Sequence, residues 1–253
     1  MLIDSTGDIG SSVSALTREY ENIAHNLANV NTTGFKRKVS AFSRELEIAL
    51  NEDVLLNLIN EDVSPLTGQI QLDETVDFSS GSLLRTDRPL DTAISGKGYY
   101  VIETPDGPLY TRNGVFQINT NGQLVDLEGR IVAGEDGPII IPQDVGESQI
   151  NIANDGEISA NGNVLGRLRI VDFGENEATL VPAGMNCLTA HQDVVPTNAV
   201  NAMVRQGFRE NSNVNRMQEV VNLITVSRLY EMNMGLLKRR EENAKAMITV
   251  ANS

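Results

Sequence analysis

Cysteine is nearly absent from this chain, and its scarcity removes several chemistries at once. Cys187 is the single cysteine among 253 residues, so no disulfide can close within the chain. With His25 and His191 as the only histidines, the donors of an ordinary zinc site are also lacking. A lone buried thiol is the expected role of Cys187. No apolar run approaches the roughly 20 residues that cross a bilayer, and the first 30 residues lack the basic, apolar and small-residue order of a secretory signal. Cytoplasmic residence does not follow, because specialised export routes leave no cleaved signal. Basic residues are the minority, 20 against 34 acidic, giving a net charge of -14 and a pI near 4.6. Such a surface repels phosphate backbones and anionic headgroups, which argues against nucleic acid and membrane as partners. The acid gathers between residues 41 and 80, where Glu45, Glu47, Glu52, Asp53, Glu61, Asp62, Asp73, Glu74 and Asp77 face only Arg44.

A 40% hydrophobic content over this length can bury a core of its own. Near the start, Ile9, Val13, Leu16, Tyr20, Ile23, Leu27 and Val30 alternate in spacings of four and three, a heptad seam. It predicts an amphipathic helix over about Asp8 to Asn29, roughly 33 Å long, that stops by Gly34 after an Asn-Thr-Thr stretch. At the other end Asn215 can cap a helix, with Gln218 in capping-box position. Its seam runs through Leu223, Val226, Tyr230, Leu237, Ala244, Met247 and Ala251, with Asn233 and Arg240 at the two heptad positions that fail. That helix extends roughly 55 Å and needs a partner along its length.

Between the ends the period changes to about 2. Tyr99 to Glu103, Val115 to Asn119, Gln123 to Leu127, Pro138 to Pro142 and Arg167 to Phe173 read as strands. Turn dipeptides such as Asp106-Gly107, Asn113-Gly114, Asn121-Gly122 and Asn161-Gly162 punctuate them, as in an antiparallel sheet. The predicted fold class is α+β, with long N- and C-terminal helices packed as a coiled-coil-like domain and an antiparallel β-rich middle. The expected divisions are residues 1–37 for the N-terminal helix, 38–88 for a linker, 89–190 for the outer β domain, 191–211 for a return linker and 212–253 for the C-terminal helix.

Two segments flank the helices. The first is Asn26-Leu27-Ala28-Asn29-Val30-Asn31-Thr32-Thr33-Gly34-Phe35-Lys36-Arg37, and the second is Glu210-Asn211-Ser212-Asn213-Val214-Asn215. They resemble the N-terminal signature and the helix-leading Ser-Asn-Val-Asn of flagellar rod and hook proteins. The stretch Pro89 to Val101, with Tyr110 to Phe116 and Gly137 to Pro142, resembles the opening of that family's β domain. The ending Tyr230-Glu231-Met232-Asn233-Met234 with Glu241-Glu242-Asn243-Ala244 looks closer to proximal-rod than to distal-rod members.

The resemblance implies a basal-body rod subunit, exported through the flagellar type III apparatus into the periplasmic rod and transmitting torque. Its partners are copies of itself, other rod proteins and the export apparatus, and no cofactor is needed. The assembly interface expected from seams and signatures comprises Ile9, Val13, Leu16, Tyr20, Ile23, Asn26, Leu27, Asn29, Val30, Asn31, Gly34 and Phe35. From the C-terminal end it takes Ser212, Asn213, Val214, Asn215, Leu223, Val226, Tyr230, Leu237, Ala244 and Met247. Independently of the family, Asn22, Asn26 and Asn29 fall on one helix stripe, where a buried amide penalises wrong register.

Rival classes remain distinguishable. An enzyme with its site on the loops between Tyr99 and Phe173 requires convergent polar groups in a pocket. A soluble coiled-coil binding module requires a closed, finite oligomer. The short basic clusters Lys36-Arg37-Lys38 and Lys238-Arg239-Arg240 read as ion-pairing groups.

Overall fold

A computed structural model describes residues 4–40, 74–184, 186–191 and 193–251, with side chains in the first helix from Ser12 onward. The predicted linker, residues 38–88, lies mostly outside these residues. Helix α1 spans Asp4–Ala28 and helix α2 spans Arg216–Ala251. Between them the described chain is mostly β structure broken into short strands, with 3-10 turns at Glu147–Gln149 and Gly174–Thr179. Two compact units result: residues 1–28, 38–77 and 214–253 form one, and residues 29–37 and 78–213 form the other.

The expectation of an α+β fold built on a coiled-coil-like helical domain is corrected by this architecture. Among the described residues β-sheet dominates the middle, each end carries one helix, and no long N-terminal coiled coil is formed. The reason lies in which residues the helices bury. α1 packs on α2, but its buried positions are Ser12, Ala15, Leu16, Glu19, Asn22, Ile23 and Asn26. Tyr20, on the predicted seam, is 47% exposed. α2 buries Glu219, Asn222, Val226, Leu229 and Asn233. These faces keep only part of the seams, Leu16 and Ile23 in α1 and Val226 in α2, and are otherwise largely polar, unlike the apolar a/d core that drives supercoiling.

Some polar members of these faces are held by local bonds, while Asn22 Nδ2, Asn222 Nδ2 and Asn233 Oδ1 are buried without a hydrogen-bond partner among the described residues. Asn26 Nδ2 donates to Lys38 O at 2.8 Å while Lys38 N donates to Asn26 Oδ1 at 2.9 Å. The amide thus pairs with the Lys38 backbone as a neighbouring strand would, and it fixes Lys38–Ser40 beside α1. That strand pairs antiparallel with Glu74–Val76, and Ser40 Oγ donates to Glu19 Oε2 at 2.5 Å. At the start of α2, Asn215 Oδ1 accepts from Met217 N and Gln218 N, which is the predicted cap. Gln218 completes no capping box here; its Nε2 donates to Asn222 Oδ1 at 3.0 Å.

His25 lies in the last turn of α1. Partial burial, and behind it the Lys38 ammonium, hold its pKa below 6.5. The unfolded chain therefore binds this proton more readily than the folded one. Stability contributed here is complete at neutral pH and falls as the pH drops through 6.5. Chemical unfolding at pH 7.5 and 5.5 is expected to show a smaller loss on acidification for His25→Gln than for the wild-type chain.

In the second unit, the strand Tyr99–Thr104 is the centre of an antiparallel sheet. It pairs with Gly107–Thr111, Ile131–Gly134 and Ile170–Asp172. Its residues are buried on both faces: Tyr100 and Ile102 join Phe116, Leu124, Val132, Ile139 and Leu168, whereas Tyr99 and Val101 join Tyr110, Val171, Phe173 and Leu180. Two-sided burial explains why Tyr99 to Ile102 reads as a continuous apolar run rather than an alternation. Phe116 meets Tyr100 edge to face at 5.1 Å, and Phe173 meets Tyr110 likewise at 4.8 Å.

Asp106-Gly107 and Asn161-Gly162 stand at chain reversals between paired strands, as the turn dipeptides predict. The antiparallel ribbons Thr92–Ser95 with Met203–Gln206 and Leu83–Arg85 with Phe208–Glu210 bring the late chain back beside the early chain.

Candidate functional site

The ribbon of Leu83–Arg85 and Phe208–Glu210 places Glu210 opposite Leu83, at the last residue before the Asn211 to Asn215 stretch. Here the two signature segments meet. Gly34 N donates to the Glu210 main-chain carbonyl at 2.8 Å. Arg37 N donates to Asn213 Oδ1 at 2.7 Å, and Asn213 N donates to Phe35 O at 3.4 Å. Asn186 Nδ2 adds a bond to Thr33 O at 3.1 Å.

A buried ionic group lies at the centre. Lys36 Nζ is 2.7 Å from Glu210 Oε1, and Arg112 Nη1 is 3.7 Å from Glu210 Oε2. The three side chains are 5%, 2% and 0% exposed for Lys36, Arg112 and Glu210. Burying charge is costly unless it is paired and hydrogen-bonded, and further bonds hold most of this group, while Glu210 Oε2 and Arg112 Nε have no hydrogen-bond partner among the described residues. Gly81 N donates to Glu210 Oε1 at 2.9 Å, Lys36 Nζ donates to Ser79 O at 2.7 Å, and Arg112 Nη1 donates to Gly96 O at 2.9 Å. The Arg112 guanidinium also stands 5.1 Å from the centroid of the Tyr99 ring.

Beside this group, burial and the bond from Tyr99 to Glu177 push the Tyr99 phenol far up, and burial does the same to Tyr100. Both stay protonated at any physiological pH, and the Tyr99 hydroxyl donates to Glu177 Oε1. Burial also raises the Cys187 thiol against the opposing influence of Arg130, which donates to its Sγ at 3.2 Å.

Two glycines permit the close approach. Gly34 has φ +70°, and a Cβ on it meets Asn113 N at 2.6 Å. A Cβ on Gly81 falls 1.8 Å from Asn211 O.

The remaining residues named from the sequence are distributed as follows. Leu16, Ile23, Asn26, Gly34, Phe35, Ser212, Val214 and Val226 are buried; Val13, Leu27, Asn29, Val30, Asn213, Leu223 and Leu237 are half-buried. Tyr20, Asn31, Asn215, Tyr230, Ala244 and Met247 are exposed, Met247 at 72%. The Ile9 side chain lies outside the described residues. Sequence reasoning missed Arg112, Ser79, Gly81 and Asn186 as members of the junction. A charge pair 174 positions apart leaves no local pattern, and the available signs were the placement of Lys36 and Glu210 inside the two signatures and the reading of Lys36-Arg37-Lys38 as ion-pairing groups.

Among the described residues, no group of His, Cys, Asp and Glu side chains could hold a metal ion. No helix among them is long and apolar enough to cross a membrane. The fold and junction define a structural class: a β unit that bonds residues 34–37 to residues 210–213, where the chain leaves it for the unit that holds the helices.

Known proteins give that class its family. Residues 93–160 match the "Flagellar hook protein FlgE/F/G D1 domain" and residues 205–250 match the "Flagellar basal body rod FlgEFG protein C-terminal". The chain is 35% identical over 242 residues to the flagellar basal-body rod protein FlgG of Agrobacterium fabrum, covering 88% of this chain and 90% of that one. It is 30% identical over 254 residues to FlgF of Mesorhizobium japonicum, covering 96% and 95%. To FlgF of Salmonella typhimurium it is 32% identical over 237 residues, with 87% of each chain covered. The chain belongs to the flagellar basal-body rod protein family, of the FlgF/FlgG type.

Proposed function

We propose that this chain is a structural subunit of the flagellar basal-body rod whose two terminal helices join it to copies of itself and to other axial proteins, and which carries torque toward the hook. The carrying observation is the junction. Because Gly34 to Arg37 and Glu210 to Asn213 are bonded to each other, the two segments that lead out of the β unit leave it at one place. α2 then offers Met217, Ile224, Tyr230, Met247 and Val250 as exposed apolar residues, suited to burial against neighbours. Heterologous contacts of this kind propagate instead of closing, as a tube requires.

Export through the flagellar apparatus without a cleaved signal and residence in the periplasmic part of the rod belong to the same reading. The proximal-rod position is supported by the ending Tyr230 to Met234 with Glu241 to Ala244, while relatives of both rod types match at similar identity.

The test is a chain lacking residues 1–28, which leaves Asn29 to Arg37 in the compact β unit. Supplied as the sole copy in cells, it should keep the near-ultraviolet signature of the folded β unit and fail to enter rods. Rods built normally from the truncated chain would contradict the role given to the terminal helices.

A further inference from the structure

The chain passes between its two compact units after Ala28, after Arg37, after Asp77 and after Asn213. The stretches that make these passages within the β unit are 29–37, 78–82 and 210–213, far apart in sequence. Glu210 touches all of them. Its Oε1 accepts from Lys36 Nζ at 2.7 Å and from Gly81 N at 2.9 Å, and its main-chain carbonyl accepts from Gly34 N at 2.8 Å. Ser79 repeats the pattern, its carbonyl accepting from Lys36 Nζ at 2.7 Å and from Asn213 Nδ2 at 3.2 Å. Arg112 ties the same carboxylate to the strand-end loop of the central sheet, with Nη1 3.7 Å from Oε2.

We infer that Glu210 is a clamp that makes the three connecting stretches open and close as one body, so that force reaching the β unit along any one of them is shared by all. A carboxylate suits this task because it accepts several charge-assisted bonds at once and, when fully buried, holds them in a low dielectric without competition from water. Removing one partner leaves the others buried and uncompensated, so the stretches are released together and not one by one. Force sharing rests on the rod reading above, whereas joint opening of the stretches does not.

The two halves are tested separately on the full chain. Native-state hydrogen exchange of Glu210→Gln reads the amides of Gly34, Arg37, Gly81, Asn211 and Asn213 against those of the Tyr99–Thr104 strand. The junction amides should accelerate together by about a hundredfold or more, with the central strand unchanged. Lys36→Met, which keeps Glu210 facing Arg112, should give the same joint pattern with a smaller acceleration, and it carries the test if Glu210→Gln does not fold. Acceleration confined to one stretch, or none in either variant, would overturn the clamp.

Swimming speed in a viscous medium reads the second half, in cells whose rods contain Glu210→Gln. Rods that assemble but drive the cell poorly as viscosity rises support force sharing. Wild-type speed at every viscosity with the junction amides accelerated would overturn force sharing and leave the rod assignment standing.

Discussion

Replacing Gly81 by alanine is expected to dismantle the junction. The new Cβ falls 1.8 Å from the main-chain oxygen of Asn211, and neither side of that contact is the movable end of a side chain. Relief requires 78–82 and 210–213 to separate, which also withdraws Gly81 N from Glu210 Oε1 and Asn211 N from Ser82 O. Overpacking alone costs about 1–3 kcal/mol. A buried carboxylate left short of a donor adds about as much again, so the loss should reach about 3 kcal/mol or more. Thermal unfolding and limited proteolysis should show a lower midpoint and new cleavage in the two separated stretches. Gly235→Ala is the natural control. That glycine lies inside α2 with nothing within 4 Å of a Cβ. There the substitution should stabilise the helix by about 0.5–1 kcal/mol.

Phe116→Ala is expected to damage the molecule differently, by emptying its β core. Phe116 is fully buried and packs on Tyr100 among Leu124, Val132, Ile139 and Leu168. Truncating such a ring costs about 3–5 kcal/mol in lost burial and residual cavity, a large share of the roughly 5–15 kcal/mol that stabilises an ordinary domain. The expected result is a lower denaturant midpoint with the near-ultraviolet signal lost across the whole β unit in one step. Gly81→Ala should release junction stretches while that signal persists. If both variants lose everything together, junction and core are one cooperative body and the local account of Gly81 is wrong.

The sequence located both helices, and the faces they bury within the chain share only Leu16, Ile23 and Val226 with the apolar residues of the predicted seams. Apolar spacing finds amphipathic helices because most interfaces are apolar. Here the buried faces include Glu19, Asn22, Asn26, Glu219, Asn222 and Asn233, and side-chain bonds such as Asn26 to the Lys38 backbone satisfy part of that polarity. Asn233, which breaks the apolar seam, is itself buried, with Nδ2 donating to Leu229 O.

In the middle of the chain, the turn dipeptides and the apolar run from Tyr99 were legible because hairpins and buried central strands are specified by neighbouring residues. The strands between residues 181 and 210 were not, since elements of two to four residues such as Thr197–Asn198 are too short to establish a period. The two signatures of the junction were readable through family resemblance. The ionic group that binds them was hidden, because the Arg112 and Glu210 contact depends on the completed sheet and on the ribbon that returns the chain.

The central claim is that this chain is a rod subunit, and electron cryotomography of basal bodies from cells lacking it tests that claim most directly. The account predicts rods that stop short and carry no hook, restored by the full-length chain. Complete rods bearing hooks in its absence would contradict it.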